Sequence, residues 1–79
     1  RDVAMSTNPA LDFDGVEIKV GNLLYAPIQN RVTRVRVVRI ADEPTHRGCG
    51  YWTRKLTVEP IEGGRKLTVN DPRTTILYQ

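Results

Sequence analysis

Residues 31–40 read RVTRVRVVRI, from Arg31 to Ile40, in the middle of a 79-residue chain. Valines and an isoleucine alternate with arginines, and no 3.6-residue period is present. β-Branched side chains crowd a helix at χ1 and suit a pleated strand, so this stretch reads as the central strand of a sheet. Its phase is imperfect. Val35 and Val37 fall on one face, Val38 and Ile40 on the other. One β-bulge at Val37–Val38 would turn all four apolar residues inward and leave Arg34, Arg36 and Arg39 outward.

On either side the pattern repeats in shorter pieces. Val16, Ile18 and Val20 alternate with Glu17 and Lys19, which predicts a strand, and Gly21-Asn22 then turns the chain. Leu23, Leu24 and Tyr25 form an extended apolar run ending before Pro27, and Asn30 marks the next turn. Ala41 to Gly50 reads as a polar loop. Tyr51 to Ile61 reads as one strand, with Trp52, Leu56 and Val58 on its inner or rim side. Glu62-Gly63-Gly64-Arg65 predicts a tight hairpin, because glycine supplies positive φ readily. Lys66 to Asn70 returns with Leu67 and Val69 inward. Asp71-Pro72 opens a turn or a 3₁₀ turn, and Ile76 to Tyr78 closes as a short strand. Turn signals between several short strands predict an all-β barrel of about five strands over residues 16–79. Residues 1–15 read as an N-terminal arm, with Phe13 laid on the barrel's own core or, alternatively, anchoring a second subunit.

The chain is short enough for one domain, and a domain of this size has a small core. Cys49 is the only cysteine, so no internal disulfide supports it. One cysteine and no hydrophobic leader lead to the expectation of a cytoplasmic protein. No apolar run approaches the length of a membrane span.

The net charge is +3, but it is unevenly spread. Residues 1–20 carry −2 and the remainder +5. Between Arg31 and Lys55 stand seven basic residues against Asp42 and Glu43. Arg34, Arg36, Arg39, Arg47, Tyr51, Trp52, Arg54 and Lys55 form a basic and aromatic constellation, if neighbouring strands bring Arg34–Arg39 beside Tyr51–Lys55. Guanidinium forks grip carboxylate or phosphate, and aromatic rings anchor a protein partner or stack a base. The alternative is a solvated outer face, its arginines paired with Glu59, Glu17 and Asp71 and Trp52 in the core.

Val20-Gly21-Asn22-Leu23-Leu24 resembles the V-G-D-x-V opening of KOW and Tudor-like members of the SH3-like barrels. Val20 to Pro27, VGNLLYAP, is similar to the V-G-D-x-V-V-Y-P opening of the CarD-type domain that binds RNA polymerase, and Leu67-Thr68-Val69 resembles its later L-x-V segment. Asn22 stands where aspartate is usual, and Ile28-Gln29-Asn30-Arg31 where that domain has a glycine-rich loop. The resemblance implies a transcription-associated barrel presenting a face or edge to RNA polymerase, another host protein or nucleic acid. Leu24-Tyr25 resembles part of the A-L-Y-D-Y motif of signalling SH3 domains, without their acidic loop. The small plasmid-type dihydrofolate reductases are similar in length and topology, but their V-Q-I-Y motif is absent.

No catalytic signature stands out. His46-Arg47-Gly48-Cys49-Gly50 holds the single histidine and cysteine, two of the four ligands zinc wants, with no orienting third group for a Cys–His nucleophile. We therefore expect no enzyme, no cofactor and no metal. The expected function is a module binding a transcription-machinery or other host protein. The alternatives are direct nucleic-acid binding, or a small self-assembling subunit burying Leu11, Phe13 and Tyr78. Compact single-domain proteins of this kind are common products of mobile elements such as phages.

Overall fold

A computed structural model describes residues 9–48 and 51–78, with backbone alone for Arg47 and Tyr51. The chain is all-β. In order come β1 (Leu23–Ile28), β2 (Arg31–Ile40), β3 (Thr45–Gly48), β4 (Tyr51–Thr53), β5 (Leu56–Pro60), β6 (Leu67–Val69), a 3₁₀ turn at Pro72–Thr74, and β7 (Ile76–Leu77). Five of them make one antiparallel sheet in the order β6-β5-β2-β1-β7. Among the described residues β3 and β4 pair only with each other. The sheet ends at β6 and β7, and no pairing closes it into a complete barrel among the described residues.

The long strand β2 is central, as its valine content predicts. The register to β5 runs Arg36↔Glu59, Val37↔Val58, then Arg39↔Thr57 and Ile40↔Leu56, so Val38 is the extra residue of a bulge. Ile40 thereby regains the inner side and packs against the core with Ile28, Leu67, Val69 and Leu77. Val38 itself is only half-buried. Leu24, Ala26, Val35, Val37, Leu56 and Val58 are buried, alternating along their strands as period-2 geometry requires.

β1 and β2 are joined by Gln29-Asn30, both at positive φ (51° and 65°), the geometry of a type I′ hairpin. Gly21, at φ 97°, shapes the turn into β1, and its N–H donates to the Val37 carbonyl. The Asn22 side chain accepts from the Lys19 N–H at 2.7 Å. Asp71 caps the 3₁₀ turn, accepting from the Arg73 N–H at 3.1 Å, and Pro72 is buried there.

Several expectations need correction. Val16 to Val20 is not a strand of the sheet: only a single bridge, Leu11↔Glu17, forms, and Val16 and Val20 are exposed. Ile18 alone of this run is buried. The packed chain also reaches back before Val16, because Ala10 and Asp12 are buried while Phe13 is 68% exposed. Phe13 thus does not cap the core. The region expected to be a loop contains β3, and the strand expected over Tyr51–Ile61 is interrupted at Arg54–Lys55. The interruption places Trp52 on the β3–β4 hairpin, 51% exposed, rather than on the inner side of the sheet.

Candidate protein-binding face

With Val35 and Val37 inward, Arg34 and Arg36 must point to the other side of β2, and the bulge keeps Arg39 with them. All three are exposed. The ladder fixes their neighbours. Arg36 stands opposite Glu59 on β5 and Leu23 on β1. Arg34 stands opposite Tyr25, which in turn stands opposite Ile76 of β7. Arg39 stands opposite Thr57. Arg34 also forms a salt bridge to Glu62 at 3.4 Å. Val32, two residues before Arg34, is 76% exposed.

The outer face therefore combines arginines, carboxylates and apolar side chains. Its aromatic part is Tyr25 with Tyr78, ring centroids 4.4 Å apart and tilted by 33°. Neither tyrosine belonged to the constellation read from sequence. Tyr25 is set outward by its neighbours Leu24 and Ala26, both buried, and that alternation was visible in the sequence. Its meeting with Tyr78 depends on β7 returning beside β1, which local pattern does not reveal.

The remaining residues of that constellation lie elsewhere. β2 pairs with β5 rather than with β4, so Arg34–Arg39 run beside Leu56–Pro60 and not beside Tyr51–Lys55. Trp52 meets His46 across the β3–β4 hairpin in an edge-on contact, ring centroids 5.1 Å apart. Arg54 donates from Nη1 to the carbonyls of Ala41 (3.0 Å) and Asp42, tying down the loop after β2. That role is structural. Lys55 is exposed, and its carbonyl accepts from the Ala41 N–H. The side chains of Arg47 and Tyr51, and all of Cys49, lie outside the described residues.

Among the described residues no three His, Cys, Asp or Glu side chains gather as a metal site would require. No helix among them is long and apolar enough to cross a membrane. Compared with known proteins, the chain matches no family model, no curated protein and no solved structure.

Proposed function

We propose that this chain is a non-enzymatic interaction module whose outer sheet face binds another protein. The observation that carries this reading is the mixture on that face. Arg34 is engaged by Glu62, and Arg36 faces Glu59 across the ladder. Interleaved carboxylates weaken attraction to phosphate, whereas arginine, tyrosine and exposed aliphatic side chains on one surface are the composition of protein interfaces. The likeness of Val20–Pro27 to the CarD-type opening directs the proposal toward the transcription machinery or another host protein. The return of β7 after a 3₁₀ turn to pair with β1 supports the SH3-like comparison. The test is affinity capture from the native host with wild type, Arg36→Glu and Tyr25→Ala. Both variants should lose the captured protein while remaining folded. Retention by both, or capture of nucleic acid alone, overturns the proposal.

Self-assembly is the second reading, favoured by the exposure of Phe13 and Ile76. Light scattering showing a monomer at high concentration removes it.

A further inference from the structure

The described residues do not cover the inner side of the sheet along its whole length. At the Ile40 end of β2, Ala10 and Ile18 of the N-terminal segment lie against it. At the Arg31 end a groove of about 380 Å³ opens between the β1–β2 turn and the end of β5. Ile28, Thr33 and Pro60 line it, continuing the faces of buried Ala26, Val35 and Val58. Arg31 shares that inner face by alternation, while Arg34 and Glu62 stand at the rim.

The charges at this groove are unequal. Two guanidinium groups face one carboxylate, and Glu62 is already held by Arg34. Arg31 is exposed and makes no ion pair among the described residues. A guanidinium fork beside aliphatic walls complements a carboxylate adjacent to an apolar side chain. No aromatic ring among the described residues lines the groove, so it offers a nucleic-acid base no aromatic platform. We infer that this groove is a second docking site, and that it takes an acidic peptide segment of a partner protein, with an Asp or Glu on Arg31 and a neighbouring apolar residue against Ile28 and Pro60. The groove adjoins the outer face at Val32 and Arg34, which also line it, but its Arg31 and the outer face's Arg36 point to opposite sides of β2.

The test is a ¹⁵N-amide titration of the full chain with the peptide acetyl-Leu-Asp-Leu-Asp-Leu-amide. Amide shifts should cluster at Ile28, Arg31, Thr33 and Gly63. Affinity should fall about tenfold or more with Arg31→Ala, or when asparagine replaces both peptide aspartates, the scale of one charge-assisted contact. Lys19→Ala, remote from the groove, should leave it unchanged. Three results overturn the inference: no shifts at millimolar peptide, equal affinity for the asparagine peptide, or shifts confined to Tyr25, Arg36 and Arg39. Tighter binding of an oligothymidylate with the same shifts would replace the peptide by a phosphate ligand and equally overturn it. The outer-face proposal stands or falls separately, on capture by the Arg36→Glu and Tyr25→Ala variants.

Discussion

Asp12 is buried to 1% exposure, yet its carboxylate is fully used. Oδ1 accepts from the N–H groups of Asp14 and Val16, each at 2.9 Å, and Oδ2 accepts from the Leu77 N–H at 2.9 Å. One side chain thus folds its own turn and fastens it to the last strand, some 65 residues away in sequence. The first half was legible in Asp12-Phe13-Asp14-Gly15, since an aspartate bonding the N–H two residues on is an Asx turn. The second half was not, because the partner is a backbone amide with no sequence signature. Asp12→Asn should keep the local turn but set an amide donor against the Leu77 N–H. The expected loss is about 1–3 kcal/mol, the scale of a buried donor left unpaired, read as a lowered midpoint in thermal unfolding. Two buried threonines give opposite expectations. The Thr75 hydroxyl donates to the Pro72 carbonyl at 2.7 Å, whereas the Thr53 hydroxyl has no partner among the described residues. Thr75→Val should destabilise by about 1 kcal/mol, and Thr53→Val should stabilise by about 1–2 kcal/mol, in the same unfolding measurement.

At the level of elements, the period of residues 31–40 was the strongest signal, and its one flaw located the bulge. Two adjacent valines in an otherwise alternating strand cannot both obey a period of two, so the sheet accommodates one as an extra residue. Deletions test this. With Val38 removed, Val37, Arg39 and Ile40 are already consecutive opposite Val58, Thr57 and Leu56, so each keeps its face. That variant should fold, with a loss of about 1–3 kcal/mol from the altered strand bend. Removing Arg36 instead gives the same bulge-free strand with Val37 in the outward slot opposite Glu59 and Val38 in the inward slot opposite Val58, so Val35 keeps the core and this variant should fold as well. Dispersed amide resonances for both deletions would check this, and collapsed ones for either would show that the strand needs its bulge. The break between β4 and β5 was illegible for a physical reason. Trp52-Thr53-Arg54-Lys55-Leu56 contains no glycine or proline to mark a break, and Trp52 and Thr53 favour a strand. What interrupts it is tertiary: Arg54 turns its guanidinium to the carbonyls of Ala41 and Asp42.

For the whole molecule, the sign and placement of charge separate the kinds of partner. The chain is basic overall at +3, which sequence alone leaves open to a phosphate or a carboxylate partner. Folding redistributes that impression. Arg54 is spent on backbone carbonyls, Arg34 on Glu62, and Arg36 has Glu59 across the ladder. The outward arginines of β2 were readable from the alternation. Their carboxylate neighbours were not all readable, because Glu62 reaches Arg34 only once β5 has been laid beside β2. A face offering about three arginines can neutralise about three phosphates at most, for which a fourfold rise in salt lowers single-strand affinity about 20-fold. Wild-type protein should therefore hold an oligothymidylate weakly at 50 mM salt and lose no more than about 20-fold by 200 mM. Its captured protein partner should be held through that change with a smaller loss, since exposed Val32, Ile76 and the Tyr25–Tyr78 pair contribute apolar burial that salt does not screen. A fall of about 10³-fold with the oligonucleotide would require about seven phosphate contacts, more cations than this face presents, and would move the binding surface to another part of the chain.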